Sequence, residues 1–362
     1  MPRPLLPIAL VAGAFLAAGT SLWALASPAA LMMTGQGAAQ KARPAAPARP
    51  LRYTGLNLGA GGFASKQKPA LYGKHYAYPN AREAAPFVAA GMNIVRVPVL
   101  WDRLQAQPMA PLDATEMQRI DASFAALSGF DRIILDVHNY ARYQGVKIAD
   151  PQSGAMLADL WTRLAERYGK DPRIVFGLMN EPHGIDAQAW RGVVDQVVKA
   201  IRATGARNLV LVPGVQWTGA YSWTAGGSRS NAAAFASFRD PGGNFAYELH
   251  QYADSNSSGT HNDCIDPAAA AHRLDSVTAW LETQHARAVL GEFGVAANPQ
   301  CLAALEAMLG RMEQSPDAWL GWTYWAGGAW WGTYPFSIQP DANGAKPQMR
   351  VLMRHIAGRK RM

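Results

Sequence analysis

The stretch IVFGLMNEPHG, residues 174–184, decides how this chain folds. A continuous apolar run, of the kind that forms a strand buried on both faces, ends on a side-chain amide (Asn180), a carboxylate (Glu181) and a helix breaker (Pro182). A second run, AVLGEFG at 288–294, again ends on a lone carboxylate, Glu292. Two such strands raise the expectation that their glutamates share one face and one task.

Working outward, six more β-rich apolar runs appear: RYTGLNL (52–58), NIVRVPV (93–99), RIILDVH (132–138), NLVLVPG (208–214), FAYELHQ (245–251) and WLGWTYW (319–325). Segments with apolar residues at helical spacing lie between most of them, at 155–168, 187–203, 269–285 and 300–314. Buried strands alternating with helices imply a parallel sheet covered by helices, and eight such units imply a closed (β/α)8 TIM barrel forming a single catalytic domain. An open doubly wound sheet would place a glycine-rich phosphate loop after its first strand. NLGAGGF carries glycines there, but not GxGxxG leading into a helix with an acidic partner.

Charge and ends bound the setting. The net charge of +8 is concentrated at the termini. Residues 1–50 carry Arg3, Lys41, Arg43 and Arg49 with no acid, residues 350–362 carry five basic residues with no acid, and 25 basic against 26 acidic residues remain between them. A nearly neutral body does not suggest a nucleic-acid groove. Residues 1–30 hold one arginine ahead of an apolar segment from Leu5 to Ala26 that ends in the small-residue tripeptide ALA. The tripeptide points to a cleaved signal peptide and the length to an uncleaved membrane anchor. Either reading sends the chain out of the cytoplasm, to a secreted or periplasmic location with a possible membrane tether. Residues 31–50 read as an Ala/Pro-rich linker, 51–350 as the catalytic domain and 351–362 as a basic, solvated tail. Export would let the two cysteines, Cys264 and Cys301, pair; two unrelated thiols are the alternative.

In a barrel of this type the reacting groups sit where strands end and βα loops begin. Those positions here hold Asn57, Arg96, His138, Asn180, Glu181, His250, Tyr252, Glu292 and Trp325. Taken singly, His138 reads as a structural histidine and Arg96 as an ion-pair partner; their convergence on one rim argues for a site.

Together these residues resemble glycoside hydrolase family 5, a retaining clan of (β/α)8 enzymes that includes many endo-β-1,4-glucanases. The resemblance spans about residues 51–345 and rests on MNEP at strand four, GEFG at strand seven, Arg96 in IVRVPV, His138 in LDVHNY, His250 and Tyr252 in HQY, and Trp325 in WTYWAGG. HQYADSNSSGTHNDC looks like the branch of secreted cellulases with an SGTHxxC loop, in which the loop cysteine bonds a later one, here Cys301. The resemblance implies Glu181 as acid/base and Glu292 as nucleophile. It also implies that Arg96 and Tyr252 hold Glu292 ionised and that His250 sets the proton of Glu181.

The chemistry accounts for those residue types. Breaking a glycosidic bond builds positive charge at the anomeric carbon while the leaving oxygen needs a proton. A protonated and an ionised carboxyl supply both, at a separation of about 5–5.5 Å in retaining enzymes. At that range each charge disfavours the other, so the two pKa values are expected to part. An amide at Asn180 can bond the sugar 2-hydroxyl.

The expected substrate is a neutral polysaccharide of the β-glucan type. Trp325 is expected under the sugar ring at the point of cleavage, and Trp101, Trp217, Trp223, Trp330 and Trp331 are expected to extend the platform, since apolar sugar faces stack on flat rings. No cofactor or metal is implied: HNDC and DVHNY lack zinc spacing. GxSxG is absent, which argues against a Ser-His-Asp hydrolase. The reading is a monomeric endo-β-1,4-glucanase. A β-mannanase or other β-glucan hydrolase on the same machinery, and a non-catalytic glycan-binding barrel, are the alternatives.

Overall fold

The structure, a computed structural model, describes residues 49–356. The N-terminal apolar segment, nearly all of the linker and the last six residues of the basic tail lie outside the described residues. Eight parallel strands close into a barrel: β1 (Tyr53–Leu58), β2 (Ile94–Val99), β3 (Arg132–Val137), β4 (Ile174–Gly177), β5 (Val210–Pro213), β6 (Phe245–His250), β7 (Ala288–Glu292) and β8 (Trp319–Gly327). Each neighbours the next in sequence, and β8 pairs with β1 through Tyr53 and Gly321 to complete the ring. A short ribbon, Arg142–Tyr143 against Val146–Lys147, stands outside it.

A helix follows every strand: α1 (Ala81–Ala89), α2 (Ala114–Ala126), α3 (Pro151–Tyr168), α4 (Ala187–Ala203), α5 (Asn231–Phe235), α6 (Asp275–Thr283), α7 (Pro299–Glu313) and α8 (Pro347–Leu352). Local sequence explains their limits. Asp150 caps α3 in a capping box with Ser153, and Pro151 takes the first helical position. In α4, Trp190, Val193, Val194, Val197, Val198 and Ile201 form the buried stripe against the sheet. The helix expected over 269–285 is two pieces, Pro267–His272 and α6. At the break the N–H of Leu274 bonds back three residues, to Ala271 O at 3.0 Å, and the chain turns.

The period of two along a strand divides the core. Outward residues such as Val95, Val97, Leu135, Phe176, Tyr247 and Trp322 pack under the helices. Inside the barrel one residue from each strand (Tyr53, Ile94, Ile134, Val175, Leu211, Ala246, Val289 and Leu320) forms a separate apolar plug at the N-terminal end. On three strands the next inward position toward the C-terminal end is charged. It holds Arg96 on β2, Asp136 on β3 and Glu248 on β6, all fully buried. The barrel is therefore sealed by hydrocarbon at its base and filled with charge beneath its mouth.

Cys264 and Cys301 form a disulfide with Cα atoms 5.1 Å apart, tying the loop after β6 to the first turn of α7. Closing a loop of 37 residues stabilises the fold by about 4 kcal/mol in the chain-entropy model.

Candidate active site

Glu181 and Glu292 leave β4 and β7 on the same rim. Each offers a carboxylate oxygen within 4.8 Å of the other and of a ring nitrogen of His250. Glu292 is fixed from two sides: Arg96 Nη1 donates to Oε1 at 2.6 Å, and the Tyr252 hydroxyl donates to Oε2 at 2.9 Å. Burial and the charge of Glu292 push the Tyr252 hydroxyl well above its ordinary range, so it stays a donor. Glu181 adopts a left-handed backbone (φ 45°), uncommon for a non-glycine residue, and its side chain is 17 % exposed. His250 Nδ1 lies 2.9 Å from Glu181 Oε1 and 3.8 Å from Glu292 Oε2.

Beneath the pair sits the charged layer. Arg96 is the hub: Nε is 2.8 Å from Glu248, Nη2 is 3.1 Å from Asp136, and the guanidinium also donates to Asn57 Oδ1 at 3.0 Å and Asn180 Oδ1 at 2.8 Å. Burial alone would favour loss of its proton, but Asp136, Glu248 and Glu292 outweigh that and hold it above its ordinary value. Burial likewise acts to raise Glu248, and Arg96 and His250 overcome it and hold the carboxyl below its usual range. Burial would lower His250, yet the charge of Glu292 and hydrogen bonds to Glu181 and Glu248 push it up to about 10. The imidazole is thus a cation at neutral pH, within reach of Glu181, Glu248 and Glu292.

That state bears on metal binding. Glu181, His250 and Glu292 are near enough together to hold an ion. A histidine ligand must be neutral, however, and an ion on Glu292 would compete with Arg96 and Tyr252. The residues fit a proton-transfer site better than a metal site.

Other expected residues take definite places. Asn57 straps the rim, its amide donating to Gly291 O at 2.9 Å and Thr323 O at 3.0 Å. The Asn180 carbonyl is engaged by Arg96, so what this residue can offer a sugar hydroxyl is its NH2. His138 Nδ1 pairs with Asp136 at 2.7 Å, and its ring lies parallel to Trp325 (5.9 Å, 11°). Trp331 packs edge-on against Trp325 at 5.3 Å and supports it from behind. Trp217 is 53 % exposed and stacks on His183 (4.8 Å, 13°). It lines a cavity of about 370 Å3 with Glu181, Tyr221, His250, Tyr252 and Ser257. Three successive left-handed residues, Gln216, Trp217 and Thr218 (φ 50–56°), present it. The Trp217 N–H donates to Pro182 O at 3.1 Å and so ties that turn to the Glu181 loop.

Two platform expectations are corrected. Trp101 is fully buried, its indole N–H donating to Gln105 Oε1 at 2.8 Å and its ring packed on Tyr143. Trp223 is also fully buried, among Phe235, Tyr247 and Trp280. Both lie near strand ends in sequence, but each finds an aromatic or amide partner inside the fold and turns away from the cleft. Trp330 is half-buried in the turn after β8.

Sequence reasoning missed Asp136, Glu248 and Tyr140. The first two had a signal: each stands two residues before a rim histidine, in DVH and ELH, and a period of two puts both on the inward face. Tyr140 had none. Its hydroxyl is 3.4 Å from His138 Nε2, and burial with the nearby Glu181 and Glu292 raises it above its ordinary range.

Comparison with known proteins agrees with this geometry. Residues 52–328 match the model of the cellulase family, glycosyl hydrolase family 5. The chain is similar to endoglucanase 3 of Humicola insolens, 33% identical over 294 residues, covering 80% of this chain and 74% of that one. It is similar to endo-beta-1,4-glucanase A of Emericella nidulans, 32% identical over 295 residues, covering 80% and 87%. Among solved structures it resembles XacCel5A in complex with cellopentaose, with a TM-score of 0.82 and 44% identity over 84% of this chain and 99% of that one. It resembles equally the endo-beta-1,4-glucanase Xac0029 of Xanthomonas axonopodis pv. citri, with a TM-score of 0.82 and 45% identity over 84% and 98%.

Proposed function

From the premise that this chain belongs to glycosyl hydrolase family 5, we propose that it is a retaining endo-β-1,4-glucanase with Glu181 as acid/base and Glu292 as nucleophile. The observation that carries the reading is that the two carboxylates bring oxygens within 4.8 Å of each other. Inverting enzymes keep theirs about 6.5–9.5 Å apart to admit a water, and retaining enzymes about 5–5.5 Å apart.

In the first step a Glu292 oxygen bonds the anomeric carbon as the glycosidic C–O bond breaks, and Glu181 gives its proton to the departing oxygen. Arg96 and Tyr252 aim Glu292 and hold its charge until it is shared with the sugar. In the second step Glu181 takes a proton from water, the water oxygen bonds the anomeric carbon, and Glu292 leaves. His250 supports both steps: its hydrogen bond fixes the Glu181 carboxyl, and its charge offsets the acids around it. In this reading the Asn180 amide bonds the 2-hydroxyl, Trp325 carries the sugar at the cleavage point and Trp217 carries the next part of the chain; the packing of Trp325 on His138 and Trp331 and of Trp217 on His183 supports it.

The substrate is a neutral β-1,4-glucan. The protein is exported, either free or tethered through residues 1–30, and works as a monomer. No helix among the described residues is long and apolar enough to cross a membrane. Reducing-sugar release from carboxymethyl-cellulose and from mannan separates glucanase from mannanase. Proton NMR of the first product from cellopentaose, showing the β-anomer before mutarotation, tests retention; the α-anomer overturns it. Binding of both polymers with hydrolysis of neither would show a glycan-binding barrel instead.

A further inference from the structure

The base of the barrel, opposite the cleft, carries a feature that hydrolysis does not use. Arginines stand within three residues of the start of several strands: Arg52 before β1, Arg132 at the start of β3, Arg207 before β5 and Arg287 before β7. With Lys170 they line a cavity of about 280 Å3 that also includes the backbone entrance at Tyr53, Asn208 and Asn244. Arg52, Lys170, Arg207 and Arg287 are exposed, and Arg132 is half-buried beside the Tyr53 ring. Among the described residues none of the five has an ion pair. The acids of the same face are mostly taken: Asp171 by Arg173, Asp240 by Arg202 and Asp317 by Arg49, with Asp131 left at the edge. The body outside the termini is almost neutral, so unpaired positive charge gathered at one pole is segregated charge.

The chain enters the barrel at this pole. The described residues begin at Arg49, whose N–H bonds Glu313 O at 3.2 Å beside the base. The 48 residues ahead of it contain the Leu5–Ala26 apolar segment, then Lys41 and Arg43, and no acid.

We propose that the basal pole docks on an anionic phospholipid surface, the arginine cluster facing the headgroups and the cleft facing away toward the polymer. Arginine suits the role because its planar fork binds phosphate oxygens in pairs. A membrane fits better than a nucleic acid because the basic patch sits where the chain leads toward its apolar segment. Docking there leaves the cleft open to a long polymer; docking by the rim would block it.

The test compares the full chain with its Arg52→Gln, Arg207→Gln, Arg287→Gln triple variant. Each is mixed with vesicles of phosphatidylglycerol and phosphatidylcholine or of phosphatidylcholine alone, and the bound fraction is read by sedimentation. The N-terminal segment is the same in both proteins, so its contribution cancels. Each basic residue near such a surface is worth about fivefold in partition, so the variant should bind the anionic vesicles about a hundredfold more weakly and the neutral ones equally. Raised salt should erase the difference, since the screening length falls below about 10 Å above 0.1 M. Hydrolysis of cellopentaose in solution should not change. Equal partition of the two proteins onto anionic vesicles overturns the proposal. So does wild-type binding to polygalacturonate or duplex DNA, but not to vesicles, at the same salt.

Discussion

Glu248 lies directly beneath Gly291: a methyl group placed on Gly291 would sit 2.5 Å from Glu248 Oε1. The carboxylate is fully buried and held by Arg96 at 2.8 Å, so it has nowhere to retreat. The glycine before the nucleophile is there because a charged side chain fills the space where its own would go. Gly291→Ala should therefore displace Glu292 or Glu248. Misplacement by about 1 Å can cost about 100-fold in rate, and a loss of that size in kcat is expected. A folded variant, checked by circular dichroism, with wild-type kcat would contradict this account.

Tyr252→Phe removes one hydrogen bond to Glu292 and leaves the ring in place. Gly259 seats that ring: its backbone is left-handed (φ 72°), and a Cβ there would lie 2.7 Å from the Tyr252 ring. Hydrogen bonds to charged groups are worth about 1.5–3 kcal/mol, so kcat should fall by about 10- to 150-fold. KM should move little, while the melting temperature should fall, because the same buried hydrogen bond also holds the fold. A matching rise in KM would mean that the hydroxyl serves binding and not the nucleophile.

His250 makes stability depend on pH. Its pKa is about 10 in the fold, raised by Glu292, Glu181 and Glu248 against the effect of burial, and about 6.5 in an unfolded chain. Between those values the folded state keeps a proton that the unfolded state loses. The stabilisation is complete below about pH 6.5 and is lost progressively as pH rises toward 10. The melting temperature of the wild type should fall across this window more steeply than that of His250→Gln. Parallel curves would show that the imidazole is not the charged partner of these acids.

Trp217 and Trp223 should part company. Trp217→Ala removes an exposed ring stacked on His183 and should raise KM for cellopentaose by about 2- to 10-fold, the equivalent of one aromatic contact, with little change in melting temperature. Trp223→Ala empties a fully buried site and should cost about 3–5 kcal/mol of stability. Denaturant unfolding with cellopentaose kinetics on both variants decides it; the opposite pattern would reverse the assignment of core and cleft.

Much of the molecule was legible in the chain. All eight apolar runs are barrel strands, α4 runs from Ala187 to Ala203 as its apolar spacing required, and Cys264 bonds Cys301. Glu181, Glu292, His138, His250 and Tyr252 stood out because a polar or charged residue that closes an apolar run breaks the burial pattern visibly; Arg96 was read as a strand-end residue but stands third of six in β2, inside the barrel. Asp136 and Glu248 were overlooked although the period of two aims each inward with the histidine two residues on; what the chain could not show is that Arg96 waits opposite both, since that partner comes from another strand.

Sequence alone determined that the chain alternates strand and helix eight times and sends two acids to strand ends, because periodicity and burial are properties of one element at a time. Tertiary structure decided who meets across the barrel: Arg96 from β2 with Glu248 from β6 and Glu292 from β7, Trp217 in the cleft but Trp101 and Trp223 in the core, and the arginines gathered at the base. Those meetings depend on the stagger of strands when a sheet closes on itself, and closure is a relation among all eight strands that no local stretch encodes.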